Sequence, residues 1–120
     1  MPVINLKRIY DVPARTDGYR VLVDRLWPRG VKKEAADIDE WAKDLAPSDE
    51  LRKWFHHETA KWKPFQKKYL RELHNNPAAV LFIKAHTRTP TLTLLFAAKD
   101  EEHNQAVVLK QFLEAAFSKK

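Results

Sequence analysis

Residues 21–30 read VLVDRLWPRG. The apolar run Val21, Leu22, Val23 has the character of a strand buried on both faces, the kind found at the centre of a parallel sheet. It runs straight into Asp24 and Arg25, then a Trp27-Pro28 break, then Arg29-Gly30. In open α/β sheets, ligands bind in the crevice beyond the carboxyl ends of the strands. Charged residues delivered at such an end therefore read as a polar site built on a rigid element. An internal ion-pair network that fixes the loop is the competing reading, because such networks also collect at strand ends.

Working outward, Asp17-Gly18 marks a turn into the strand predicted over residues 19–26. Residues 5–10 (NLKRIY) alternate well enough for a first strand. Residues 91–98 (TLTLLFAA) form a second strongly apolar strand pattern, and it too ends in charge, at Lys99-Asp100. Asp100 is placed to cap a final helix that runs through Phe117 and buries Val108, Leu109, Phe112, Leu113 and Phe117. Between the strands the pattern is helical. Asp37 followed by Glu40 predicts a capped helix with Ile38, Trp41 and Leu45 on one face. Ser48 caps the next, whose inner face is Leu51, Trp54 and Phe55. A third begins near Thr59, with Pro64 in its first turn and Trp62, Phe65, Tyr69 and Leu73 spaced three and four apart. Residues 78–86 (AAVLFIKAH) follow an Asn75-Asn76-Pro77 boundary and fit either a buried strand or a helix. Strand, helices, strand, helix is the order of an α/β fold with a mostly parallel central sheet and flanking helices, here one small domain over residues 1–120.

Composition narrows the function classes. The 120 residues carry a formal net charge of +6, which favours anionic partners: nucleic acid, small phosphorylated or carboxylated molecules, or an acidic protein surface. With no cysteine, a disulfide framework, thiolate catalysis and cysteine-ligated zinc are excluded, and a cytoplasmic setting is expected. Only Gly18 and Gly30 are glycines, so Gly-rich phosphate loops are absent and no cofactor is implied. Neither a signal-peptide pattern nor a membrane span is expected.

Several blocks carry a resemblance. DGYRVLVDRLWPRGVKKE, IDEWAKDLAPSDELRKWFHHE, KWKPFQKKY and TLTLLFAAKDEEHNQAVVL follow one another in the order seen in the YeaO-like bacterial family, a domain-of-unknown-function group numbered 488. The resemblance spans residues 6–113. It implies an α/β domain and a helix over residues 78–87, and it implies little about activity. The cysteine that more distant relatives carry near the last strand end is not matched, since the region here reads FAAKDEEHN, so no cysteine chemistry carries over.

If the two buried strands are parallel neighbours, their charged ends meet in one crevice. The expected site is then Asp24, Arg25, Arg29, Lys99, Asp100 and Asn104, with Trp27 as a wall. An arginine fork suits a carboxylate or phosphate bidentately. Asp24 is expected to be ionised and paired with an arginine, because an unpaired carboxylate at a buried strand end would neutralise. Asp24 and His57 are the candidate catalytic residues, His57 as a base that titrates near neutral pH. No metal is expected at His56-His57-Glu58, since adjacent helical residues diverge by about 100°. Asp100 as a simple helix cap is the plainer alternative for that residue. A second function class is nucleic-acid binding by the basic face of residues 61–71 (KWKPFQKKYLR), although its aromatic stripe reads as core. A third is a non-catalytic partner-binding adaptor. Trp41, Trp54 and Trp62 are expected in the core, and residue patterns leave the oligomeric state open.

Overall fold

The computed structural model describes residues 2–119. Four strands, β1 (Val3–Arg8), β2 (Tyr19–Leu22), β3 (Glu40–Trp41) and β4 (Thr91–Phe96), form one all-parallel sheet in the order β1-β4-β2-β3. The helices are α1 (Lys33–Ala36), α2 (Asp49–Phe55), α3 (Trp62–His74), α4 (Pro77–Ala85) and α5 (Gln105–Ser118). The two most apolar strands, β4 and β2, are the inner pair, with Val21 opposite Leu94 and Leu22 opposite Leu95.

Strand alternation sorts the side chains into two unequal layers. Val21, Val23, Leu92, Leu94 and Phe96 point into the larger core, against Phe55, Phe65, Tyr69, Leu109 and Leu113 from α2, α3 and α5. Leu22 and Leu95 point the other way, into a small cluster with Ile9 and Ala36, covered by α1 and Trp27. Residues 21–23 are fully buried, as a central strand requires, but ladder pairing of β2 ends at Leu22 rather than at residue 26. Gly18, at φ +64°, delivers the chain into β2 where the backbone runs hard against β4. A Cβ there would lie 2.7 Å from Thr91, so only glycine fits.

Three local expectations are corrected. Residues 37–45 do not form the expected α-helix; β3 is followed there only by a single 3-10 turn, Lys43–Leu45. Asp37 adopts a left-handed conformation (φ 51°) that stops α1. The Asp39 carboxylate then accepts from the Arg20 backbone N–H (2.8 Å), and the Ala42 N–H donates to Leu22 O (2.8 Å). The acids bond the neighbouring strand instead of capping a helix, and the chain is captured as edge strand β3. Trp41 and Trp54 are not core residues: they are 36% and 38% exposed, and Trp62 is half-buried. Asp100 does not cap the last helix. Asn104 does, its side-chain oxygen accepting from the N–H groups of Ala106 and Val107. Residues 78–85 are helical within α4, capped by Asn76.

The amino-terminal end of the sheet is tied by a buried ionic network. Arg20, 3% exposed, donates to Asp17 (2.5 Å), Ala36 O (3.0 Å) and Asp37 O (2.8 Å). Lys7 reaches the same Asp17 carboxylate at 3.1 Å. Burial pushes the Asp17 carboxyl upward, yet the Ala14 N–H, Lys7 and Arg20 outweigh it and hold it below the usual carboxylate range.

Candidate functional site

At the opposite, carboxyl end of the sheet a cleft of about 870 Å³ opens between the segments that follow β2 and β4. The topology makes this opening. From β2 the chain leaves towards α1 on the thin face, and from β4 it leaves towards α5 on the thick face, so the two adjacent strand ends are not bridged over. The exit of α2 forms the third wall, through Lys53, Phe55, His56 and His57.

Asp24 lies between the two strand ends. One carboxylate oxygen accepts the Ala97 N–H (3.0 Å) and the other accepts the Gln105 side-chain amide. Burial dominates its titration and pushes the carboxyl up to about 6, against the lowering effect of those two donors. The expected arginine partner is absent: no Lys, Arg or His side chain of the described residues comes within ion-pair distance of Asp24. Arg25, its neighbour, donates instead to Pro47 O (2.8 Å) and Ala46 O (3.2 Å), fixing the loop ahead of α2. The guanidinium of Arg8 is likewise held by the carbonyls of Ala98 (3.0 Å) and Ala97 (3.1 Å).

All eight residues expected at the site line this one cleft, but in different capacities. Arg25 and Asn104 are occupied by structural bonds, Asn104 being 1% exposed and donating to Asp100 O as well as capping α5. Trp27 is a wall whose indole N–H donates to Val31 O (2.8 Å) and whose ring meets Trp41 edge-on at 5.4 Å. Asp100 folds over its own turn, accepting from the N–H groups of Glu102 and His103 and pairing with the His103 ring (2.9 Å). The Glu102 bond first, then the His103 contacts, lower its carboxyl below the usual range. Arg29 and Lys99 are exposed at the rim, and neither has an ion-pair or side-chain hydrogen-bond partner among the described residues.

His57 is exposed at the mouth, on a loop and not on a helix. His56 and His57 both adopt left-handed backbone conformations (φ 44° and 57°), which non-glycine residues rarely do. His56 closes α2, its N–H donating to Arg52 O. Among the described residues no group of three or more His, Cys, Asp or Glu side chains is arranged to hold a metal.

Sequence reasoning missed Lys53, Gln105 and the aromatic base of Phe55 and Phe65. Lys53 follows from helix geometry once α2 is seen to end at the cleft. Gln105 carries no signal of its own. It reaches Asp24 because Asn104 starts α5 one residue earlier, which puts the first residue of the helix beside the end of β2.

Comparison with known proteins places the chain. It is 44% identical over 112 residues to the uncharacterised protein YeaO of Escherichia coli (strain K12), covering 93% of this chain and 97% of that protein. It is 37% identical over 110 residues to an uncharacterised protein of Mycobacterium tuberculosis (strain H37Rv), covering 92% of each. No solved structure matches it. A family profile described as the inactive DUF488-N3 subclade, DUF488-N3i, matches residues 3–120. The blocks that run from β2 through α5 are therefore those of a YeaO-like chain, and the protein belongs to the DUF488-N3i family.

Proposed function

We propose that the protein binds a small phosphorylated or carboxylated molecule in the cleft at the ends of β2 and β4, and does so without chemical turnover. The observation that carries this reading is the convergence of Arg29, Lys53 and Lys99 on one cleft, with no acidic side chain within ion-pair distance of any of them among the described residues. Some surface cations elsewhere are paired, Lys61 with Glu58 (3.0 Å) and Lys110 with Glu114 (3.0 Å), and what sets the cleft apart is that three cations unpaired among the described residues face a single concavity. Unpaired cations around a concavity attract an anion, and the arginine offers a planar fork to it. The two left-handed histidines support a functional mouth, since backbone strain collects at ligand sites. The subclade's description as inactive favours binding over catalysis, and on this reading His57 serves as a contact and not as a base.

The test is differential scanning fluorimetry against phosphate, sugar phosphates, nucleoside monophosphates and citrate, followed by calorimetry on the best binder. A ligand at a hundred times its Kd stabilises by about 2.7 kcal/mol. Arg29→Ala and Lys99→Ala should each weaken binding by roughly tenfold or more, the worth of one charge-assisted hydrogen bond. If no anion raises the melting temperature of the wild type above that of Arg29→Ala, the reading falls.

A second reading, nucleic-acid binding, draws on Trp54. Its exposed ring stands beside the ammonium groups of Lys61 and Lys68, each 5.0 Å from the centroid, on the basic face of residues 61–71. Binding there would weaken with salt by about one log–log unit per phosphate contact. It would be lost in Lys67→Glu/Lys68→Glu and unchanged in Arg29→Ala.

A further inference from the structure

We infer that the cleft is bipolar: it selects a ligand that joins an anionic group, held at the rim by Arg29, Lys53 and Lys99, to an amine, held at the floor by the Asp24 carboxylate. The inference rests on the cleft being the ligand site, and it adds the chemical class of the ligand.

The argument starts from the placement of Asp24. A site built only for an anion has no use for a carboxylate between its walls, because like charges repel and the repulsion grows as water is excluded. Yet Asp24 is fixed there from both sides. Ala97 donates from β4's exit and Gln105 from the first turn of α5, so both oxygens are aimed and neither can swing out to solvent without losing a bond. The two guanidiniums nearest in the chain and the sheet, Arg25 and Arg8, are both committed to backbone carbonyls, Ala46 and Pro47 for one and Ala97 and Ala98 for the other. The fold thus brings arginines to this end of the sheet and turns them away from Asp24, a largely buried acid with no cation within ion-pair distance among the described residues. A carboxylate half-buried without a counter-ion is expensive to keep, and an ammonium supplied by the ligand is the missing partner. The opposite charges then lie at opposite depths: acid between the strand ends, exposed cations at the rim.

The other charged and titratable groups facing the cleft come from each wall: Arg25 and Arg29 from the loop after β2, Arg52, Lys53, His56 and His57 from α2 and its exit, Lys99 and Asp100 from the exit of β4. All of these act on the anionic end of any phosphate alike. Comparing two ligands that differ only at the far end therefore isolates Asp24.

The probes are ω-aminoalkyl phosphates of increasing chain length, each compared with the alkyl phosphate of equal length, titrated calorimetrically at pH 7.5. At one chain length or more the amine should bind at least tenfold tighter in the wild type. Asp24→Asn should abolish that preference while leaving the alkyl phosphate bound as tightly or more tightly. In the wild type alone the preference should shrink as pH falls below 6, where the carboxyl takes up its proton. Equal affinity for amine and alkyl forms at every length overturns the inference and leaves the anion site standing, as does a preference that survives in Asp24→Asn or at pH 5. Failure of both series to bind at all overturns the anion site itself, and this inference with it.

Discussion

At Asp24 the fold keeps an ionisable group where burial opposes its charge, and pH should reveal it. Its carboxyl is pushed up to about 6 in the folded chain from an ordinary 3.8. A carboxyl with a raised folded pKa holds its proton more tightly when folded, so acid favours the folded state. The penalty is absent below about 3.8 and complete above about 6, where it is at most about 3 kcal/mol. In Asp24→Asn the new amide keeps the Ala97 bond, and Gln105 can turn its oxygen to accept from the new NH2 group. The variant should therefore resist denaturant better than the wild type at pH 8, by about 1–3 kcal/mol, with the gain almost gone at pH 4. Urea unfolding at the two pH values measures it; a variant less stable at pH 8 would contradict the account. The position of Asp24 was legible in VLVDR, since an apolar run ending in an acid names a strand end. Its partners were not. Whether the acid met Arg25 or the amide of a residue 81 positions away depended on the loop carbonyls that engage Arg25 and on where α5 begins.

Among the elements, α5 shows how one residue can set the position of a helix. Both Asp100 and Asn104 are good capping residues by type. Asn104 is the cap because its side chain is buried between the turn and the helix, accepting from Ala106 and Val107 and donating to Asp100 O. Asp100 instead closes the turn before it. Asn104→Ala should cost about 1–2 kcal/mol for the lost cap, with more from the Ala106 N–H left buried. Asp100→Ala, whose side chain is 40% exposed, should cost clearly less. Thermal unfolding of the two variants decides the order. The segment around β3 teaches the reverse lesson. Its apolar spacing and its acids fitted a capped helix, but the free edge of β2 offered backbone partners, and Asp39 bonded Arg20 across the gap. Helix α3 had no such competitor, so its period alone placed Phe65, Tyr69 and Leu73 inside.

Across the whole molecule, the two ends of the sheet carry different kinds of charge. At the amino end, the Asp17 carboxylate pairs with both Arg20 and Lys7 in a largely buried network. At the carboxyl end, Arg29 and Lys99 are exposed and unpaired among the described residues. Substitutions at the two ends should therefore separate stability from binding. Asp17→Ala strands a guanidinium that is 3% exposed, and should destabilise by about 3–5 kcal/mol without altering affinity for phosphate compounds in the protein that remains folded. Arg29→Ala should leave the melting temperature within about 3 °C, as surface substitutions do, while weakening that affinity. Paired thermal and calorimetric measurements on both variants check this; loss of both properties in either one would merge the two ends into one cooperative unit.

From residues alone followed the order of β1, β2, α2, α3, β4 and α5, the central place of residues 21–23 and 91–96, and, given parallel neighbouring strands, the meeting of their two charged ends. These rest on local chemistry, namely apolar runs, caps and prolines, that acts within a few residues of itself. Tertiary structure alone decided that residues 40–41 are a strand, that Trp41 and Trp54 face solvent, and that Asp24 has an amide for a partner while its neighbouring arginine holds carbonyls. Those outcomes turn on competition between partners distant in sequence. Which donor reaches an acid first is set by where neighbouring strands end and helices begin, and no window of adjacent residues contains that information.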